Sequence, residues 1–481
     1  MKTYLNSTDK AYLDFTQKRT AHWDALAEKP PKKINWSAYY HRRLRHVYQH
    51  IIPPGCAVLE VGCGKGDLLA AVKPALGVGI DFSEAMVRAA RGAHPEMRFL
   101  QADAHALPDL GETFDYIILS DLVNDLWDVQ HVLNQLQQVC SPRTRVVLNF
   151  YNRGWELPLK IAQFIGTAKS LLDQNWLTQT DMKNLLNLGN FEVVRKWTEV
   201  LFPFNIPLFS PLVNRVIARL WPFKHLCMTN MMIARPRSAG AEKPASVSVV
   251  VAARNEAGNI PQIFERVPEM GSGTEIVFVE GHSQDNTWQV IEETMQQTSR
   301  NVKLLKQPGK GKGDAVRAGF QAASGDVLMI LDADLTVPPE DLPRFYDALV
   351  NNQGEFINGV RLVYPMEEEA MRFLNSLGNK FFSVAFSWLL GQSIKDTLCG
   401  TKVLWRIDYE KIAKNRAFFG DFDPFGDFDL IFGAAKQNLK LVDMPIRYRE
   451  RTYGSTNIQR WRHGLLLLRM LWVAAVRLKF V

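Results

Sequence analysis

"AVLEVGCGKGDLL", Ala57 to Leu69, puts Gly62, Gly64 and Gly66 directly after an apolar strand-like run and directly before a helical one. Glycine lets a backbone turn sharply and approach a ligand closely. The spacing is GxGxG, with Glu60 two residues before the first glycine, and differs from the GxGxxG of a dinucleotide loop. Outward from this loop, "GVGID" ends in Asp81, where a carboxylate can accept hydrogen bonds from both ribose hydroxyls. "MRFLQADA" leads to Asp103, suitably placed for the amino group of an adenine. In a parallel sheet each of these residues stands at the carboxyl edge, where such folds bind ligands.

The rhythm continues along the chain. "AVLEV", "GVGID", "FDYIIL" and "RVVLNF" read as strands, with helical patterns such as "DLLAAVKPAL" and "SEAMVRAARGA" between some of them. Composition then changes at "PRSAGAEKPA", Pro236 to Ala245, a linker candidate. Beyond it "SVSVVVA", "EIVFVE", "DVLMILD" and "EFINGVRL" repeat the alternation with no sequence repeat between the halves. The pattern predicts an α/β protein of two doubly wound domains with largely parallel sheets.

Composition bounds the function. The 481 residues suggest two to four domains; 47% hydrophobic and 22% charged residues exclude global disorder and a polytopic membrane protein. Lys+Arg of 57 against Asp+Glu of 50 gives a net charge of +7, which favours anionic partners such as nucleotides, phospholipid headgroups or lipid phosphates and makes no case for nucleic acid. Cys56, Cys63, Cys140, Cys227 and Cys399 form no CxxC or Cys/His cluster, as expected of free thiols in a reducing compartment without structural zinc. With no signal-peptide core and no apolar run of about 18 residues, the expectation is a cytoplasmic protein, peripheral on the cytosolic face of a membrane.

The second half has its own ligand signals. "ILDADLTVPPED", Ile330 to Asp341, sets Asp332 and Asp334 at the end of an apolar run, just before a Pro-Pro turn. The first strand of this half runs into an Arg254-Asn255-Glu256 turn, the second ends in Glu280 with Asp285 after it, and "GKGKGDAVRAGF" supplies Lys310, Lys312 and Arg317 where a glycine-rich loop enters a helix. That is a natural place for phosphate charge. Two carboxylates beside it would hold Mg²⁺ or Mn²⁺ bridging them to a diphosphate.

Over roughly residues 40 to 235 the chain resembles the class I S-adenosylmethionine-dependent methyltransferases. The resemblance implies a Rossmann-like domain in which Glu60, Gly62, Gly64, Asp81 and Asp103 hold S-adenosylmethionine, and "FEVVRKWTEVLF" and "TNMMIARP" form the antiparallel pair that closes the sheet. "SDLVNDLWD", Ser120 to Asp128, takes the acceptor-side position. Its Asp121, Asn124 and Asp125 either touch substrate or cap a helix, and the methyl acceptor is not legible.

About residues 246 to 460 resemble the inverting nucleotide-sugar glycosyltransferases of GT-A fold, with the dolichyl-phosphate and polyprenyl-phosphate sugar transferases most similar. "KDTLCGTKVLWR" matches with Asp396, Gly400 and Lys402, and Asp429 falls at the family's acidic position before the Pro-Ile strand. The resemblance implies Asp332, Asp334 and Asp429 as catalytic residues, with Asp332 and Asp334 on the metal. It puts Asn255, Glu256, Glu280 and Lys312 on the nucleotide sugar, and Arg447, Arg449 and Arg451 on an acceptor phosphate. Two departures stand out: Glu280-Gly281 where most members carry paired acids, and "GSTN" with Asn457 where the family has lysine. A hydroxyl acceptor would need a base such as Asp429, whereas a lipid phosphate with a second pKa near ~6 would not.

The expected organisation is a methyltransferase domain over 1–235, a linker over 236–245, a glycosyltransferase domain over 246–460, and a basic amphipathic helix over 461–481. In that helix Arg462, Arg469 and Arg477 fall on one arc, as in helices that lie in a membrane interface. Segments 202–226 and 379–392 have similar character. The expected function is bifunctional: methyl transfer, and sugar transfer from a nucleotide sugar to a polyprenyl-phosphate or glycan acceptor. The alternative is a glycosyltransferase with a non-catalytic, cofactor-binding regulatory domain.

Overall fold

The computed structural model describes residues 10–28, 38–165, 172–361, 363, 373–418, 426–449, 451, 453 and 460–481. The "GSTN" loop with Asn457 lies outside the described residues. The chain divides into two compact units, Met1–Arg237 with Phe480–Val481, and Ser238–Lys479.

In the first unit, strands β1 (Ala57–Val61), β2 (Leu76–Asp81), β3 (Arg98–Gln101), β4 (Phe114–Ser120), β5 (Cys140–Tyr151), β6 (Phe191–Glu199) and β7 (Thr229–Pro236) form one sheet in the order β3-β2-β1-β4-β5-β7-β6. β1 to β5 are parallel, and β7 runs antiparallel between β5 and β6. Both faces are covered, so consecutive residues are apolar. Val58, Ile118, Val147 and Met231 enter one core beneath helix α2 (Ala38–Ile51), while Leu59, Ile117, Leu148 and Met232 enter the other. Helix α1 (Lys10–Glu28) lies N-terminal to α2, and the short helix α3 (Asp67–Ala71) follows the glycine loop.

The second unit holds β8 (Val247–Ala253), β9 (Thr274–Glu280), β10 (Asn301–Lys306), β11 (Val327–Asp332), β12 (Phe356–Val360), β13 (Lys402–Trp405) and β14 (Leu441–Pro445), ordered β10-β9-β8-β11-β13-β12-β14. β13 is antiparallel to both neighbours, β11 and β12, so the sheet is mixed. β10 and β13 are additions to the expected strands. β10 is an edge strand with exposed ends, and β13 has only four residues, so neither shows a clear period-two pattern. Residues ahead of β8 are tied down: the Ala241 amide donates to Val350 O at 2.7 Å and the Ala245 amide to the Tyr346 hydroxyl at 3.1 Å.

The Arg460–Ala474 helix continues into a π-helical turn, Ala475–Lys479. Its buried face places Leu467, Met470, Ala474 and Leu478 in the core of this unit. Its outer face exposes Leu465, Leu468, Trp472 and Val476, and the neighbouring Phe373–Leu390 helix exposes Phe381, Val384 and Trp388. No helix among the described residues is long and apolar enough to cross a membrane.

Candidate functional sites

The glycine loop is bonded onto β2. Gly62, Gly64 and Gly66 have φ of +74°, +52° and +77°, a region glycine enters without strain. The amides of Gly62 and Cys63 both donate to Ile80 O, at 2.7 and 3.0 Å. The Asp81 carboxylate accepts from the Gly64 amide at 2.8 Å and from the Ser83 amide at 2.9 Å. Glu60 lies buried beneath the loop and accepts from the Leu69 amide of α3 at 2.9 Å. Burial pushes its carboxyl up to about 8.

Above the loop is a cavity walled by Gly62, Asp81, Asp103 and Leu122 at the sheet edge and by Phe15, Thr16 and Arg19 of α1. Glu60 and Gly64 support this cavity without lining it. Asp103 accepts from the His105 amide at 2.9 Å, from His105 Nδ1 at 2.8 Å and from the Tyr12 hydroxyl. His105 Nε2 accepts from the Asp128 amide at 3.1 Å, so its proton is on Nδ1. Burial raises the Asp103 carboxyl, but the bonds from His105 and Tyr12 outweigh it and bring it to about 2.

The expected acceptor-side residues separate in the structure. Asn124 is structural: its Oδ1 accepts from the Tyr151 amide at 3.0 Å and its Nδ2 donates to Asn175 O at 2.8 Å. Asp125 lines the same cavity and binds Arg19 Nε at 2.8 Å and Trp23 Nε1 at 2.9 Å. Asp121 faces α2 and β5 through Tyr40 and Asn149.

In the second unit the carboxyl ends of β8, β9 and β11 converge. Asp332 closes β11 and is ion-paired with the Lys312 ammonium. Burial raises the Asp332 carboxyl, but Lys312 more than offsets this and the net shift is downward. Asp334 accepts from the Thr336 hydroxyl at 2.8 Å and from Arg451 Nη2 at 2.7 Å, and Arg451 Nη1 lies 3.5 Å from Glu256. The Arg449 amide donates to Thr336 O at 2.9 Å, which lays the segment after β14, Arg447 included, beside the Asp332–Asp334 turn. Asn255 has φ +57° and accepts from the Gln284 amide at 2.7 Å, and Glu280 accepts from the Ser283 amide at 2.5 Å.

The 396–402 segment forms the opposite wall. Asp396 is buried in a bidentate pair with Arg361, at 2.7 and 2.9 Å, and accepts from the amides of Leu398 and Cys399. Gly400 lies so close to Asp332 and Lys312 that a Cβ there would overlap the pair. Lys402 is fully buried, donates to Cys399 O and stands 3.5 Å from Asp427.

Asp429 is placed differently from expectation. It pairs with Arg317 at 2.5 Å and with Arg416 at 3.1 Å, and Asp427, two positions earlier on the Asp427–Lys436 helix, is the acid beside Lys402 and Lys312. Residues two apart on a helix differ by about 200° in direction, so one acid faces the Asp332 side and the other faces away. Burial raises the Asp427 carboxyl, partly offset by Lys402 and Lys312.

Asp332 and Asp334 are hard oxygen donors. No group of three potential ligand residues occurs among the described residues, but Mg²⁺ commonly takes one or two carboxylates and completes its shell with phosphate and water. The pair therefore fits such an ion. The cavity under α1, with Asp81 and Asp103 at adjacent strand ends, likewise fits a nucleoside.

Comparison with known proteins finds a match in each unit. Residues 58–143 match the family model described as "Methyltransferase domain", and residues 248–416 match "Glycosyl transferase family 2". The chain carries a methyltransferase domain and a family 2 glycosyl transferase domain.

A dolichol-phosphate mannosyltransferase of Pyrococcus furiosus is 35% identical over 137 residues, covering 28% of this chain and 38% of that protein. An undecaprenyl-phosphate 4-deoxy-4-formamido-L-arabinose transferase of Edwardsiella ictaluri is 36% identical over 231 residues, covering 46% and 64%. The chain thus spans less than two thirds of the length of either. A solved magnesium protoporphyrin IX methyltransferase from Synechocystis is 17% identical, covering 47% of this chain and all of that one, with a TM-score of 0.33.

Two features of these domains have no sequence signal of the usual kind. α1 precedes the matched methyltransferase segment, yet it straps the cavity: besides Tyr12, Arg19 and Trp23, Asp24 bonds the Ser83 hydroxyl and Lys65 donates to Ala27 O at 3.0 Å. In the glycosyl transferase domain the Lys402–Asp427 pair joins residues that only folding brings together.

Proposed function

We propose that the protein is a bifunctional transferase of two functional domains, residues 1–235 and 246–460. The second moves a sugar from a nucleotide sugar onto a polyprenyl phosphate, and the first uses S-adenosylmethionine to methylate an acceptor. The observation that carries the sugar-transfer reading is the convergence of Asp332 and Asp334 with Lys312, Arg451 and the close-packed Gly400. Two carboxylates and two cations are what a diphosphate with a divalent ion requires. The polyprenyl-phosphate acceptors in the relatives' names support the choice of acceptor.

Mg²⁺ or Mn²⁺ on Asp332 and Asp334 would neutralise charge as the nucleoside diphosphate leaves. Lys312 adds fixed positive charge at the same place, and Asn255, Glu256 and Glu280 form the rim towards the nucleoside. An acceptor phosphate oxygen forms the new bond to the anomeric carbon while the bond to the diphosphate breaks. A phosphate is already ionised, so no proton needs removal, and Asp427 serves to position Lys402 and Lys312. Arg447, Arg449 and Arg451 supply acceptor-phosphate charge. In the methyltransferase domain Asp81 and Asp103 bind the nucleoside of S-adenosylmethionine.

A lipid acceptor asks for a membrane surface. The exposed stripes Phe381, Val384 and Trp388, and Leu465, Leu468, Trp472 and Val476, lie on helices that pack together, with exposed Arg469 and Arg477 alongside the second. Such faces suit peripheral attachment to the cytosolic leaflet.

The test supplies labelled nucleotide sugars, Mg²⁺ or Mn²⁺ and total membrane lipids, and follows label into the organic phase for wild type and Asp334→Asn. Label entering lipid only with the intact pair is expected. Donor consumed while all label stays aqueous would overturn the polyprenyl-phosphate acceptor.

A further inference from the structure

Asp121 is the first residue after β4 and has φ +54°, a strained conformation for a residue with a side chain. Its amide donates to Asn149 O at 3.2 Å. Its Oδ1 accepts from the Tyr40 hydroxyl of α2 at 2.7 Å and from Asn149 Nδ2 of β5 at 2.5 Å. These partners are themselves held: Thr229 of β7 donates to the Tyr40 oxygen at 3.2 Å, and the Tyr48 hydroxyl donates to Asn149 Oδ1 at 2.7 Å. Oδ2 has no partner among the described residues. The next residue, Leu122, lines the cofactor cavity and packs so tightly on Gly62 that a Cβ there would strike it. The carboxylate thus stands at the ends of β4 and β5, next to the residue that walls the cavity and near the Tyr151 ring.

No cation pairs with this carboxylate among the described residues. Asp125 has the Arg19 guanidinium, but Asp121 is bonded only by neutral donors. The titratable groups facing it are Tyr40 and Tyr48 of α2 and Tyr151 of β5, all kept protonated by burial. Its own carboxyl is pushed up by burial to about 6.

We propose that Asp121 is the general base of the methyltransferase domain and that its acceptor is a hydroxyl, so the product is a methyl ether. This rests on the reading of that domain as an active methyltransferase. A carboxylate acceptor needs no base and would be repelled by Asp121. An amine would be held beside it as the unreactive ammonium. A hydroxyl is neutral, is not repelled, and must lose its proton. Oδ2 takes that proton as the acceptor oxygen bonds the methyl carbon; the carbon–sulfur bond breaks, sulfur keeps the electron pair as a neutral thioether, and the carboxylic acid then returns its proton to water.

The test uses the full chain, methyl-labelled S-adenosylmethionine, a total lipid and glycan extract as acceptor, and the Asp121→Asn variant. Asparagine tolerates positive φ and keeps both bonds to Oδ1, so the variant folds. S-adenosylhomocysteine binding, read by calorimetry, should stay within about 2-fold while methyl transfer falls about 100-fold or more. The transferred label should survive alkali, and the wild-type rate should rise with pH and level off above about 6. The folded carboxyl is raised, so wild-type stability should fall relative to the variant as pH rises from the ordinary aspartate range to about 6, a readout independent of turnover. Retained transfer in the variant, alkali-labile label, or cofactor binding without any transfer overturns the proposal. A wild type that does not bind S-adenosylhomocysteine overturns the methyltransferase reading, and this proposal with it.

Discussion

The Lys402 ammonium stands 3.5 Å from the Asp427 carboxylate with both side chains buried, one strand away from Asp332. Removing one partner of such a pair leaves an uncompensated buried charge, at a cost of about 3–5 kcal/mol. Asp427→Asn should therefore lower the unfolding midpoint strongly and abolish sugar transfer. Lys402→Met with Asp427→Leu should recover most of the stability but none of the transfer. Wild-type transfer by the double variant would reduce the pair to packing.

Asp429 is a different case. Its partners Arg317 and Arg416 are each about one fifth exposed and can turn to water. Asp429→Asn should retain sugar transfer to within less than the ~100-fold that loss of a general base costs. A complete loss with unchanged donor binding would point to a hydroxyl acceptor.

At Gly400 even one methyl group overlaps the Asp332–Lys312 pair. Gly400→Ala should cut sugar transfer by ~100-fold or more, with Mn²⁺ affinity, measured by electron paramagnetic resonance, reduced in step. Unchanged metal binding and turnover would mean that this wall moves freely.

On the methyltransferase side, α1 closes the cavity through Arg19 and Trp23 on Asp125 and Tyr12 on Asp103. Arg19→Ala should speed S-adenosylhomocysteine release about 10-fold with a much smaller change in association, read by stopped-flow from Trp23 fluorescence. Equal release rates would leave α1 without a part in cofactor retention.

Glu60 makes stability depend on pH in a known direction. Its folded carboxyl is raised from 4.5 to about 8, so between these values the unfolded chain has lost a proton that the folded one keeps. Stability falls as pH rises through that window, by up to ~1.4 kcal/mol per pH unit. Glu60→Gln can still accept from the Leu69 amide and should be the more stable protein at pH 8 but not at pH 4, measured by denaturant unfolding. Parallel curves would show that Glu60 is ionised in the fold.

What was legible in the sequence was local. Strand, glycine loop and helix adjoin in Ala57–Leu69, and Asp81, Asp103, Asp332 and Asp334 announce themselves by ending apolar runs, so the strand-end carboxylates follow from short windows. What was not legible depends on contacts distant in sequence. α1 shows no motif because its role lies in bonds to residues about 60 to 110 positions away. Asp427 and Asp429 look alike in the sequence and are distinguished only by the direction in which the helix turns them. β13 is hidden because four residues are too few to display a period.

That short strand has a consequence for how the protein is made. β11, which ends in Asp332, has β13 as its second neighbour, and β13 is also what joins β11 to β12. During synthesis β11 and β12 both leave the ribosome before residues 402–405 exist. Until then they have no bridge, and the edge of β11 stays open to chaperones or to wrong pairing. A pause in translation before this segment has left the ribosome would prolong that exposure, whereas one after it has emerged would let β13 pair with both neighbours.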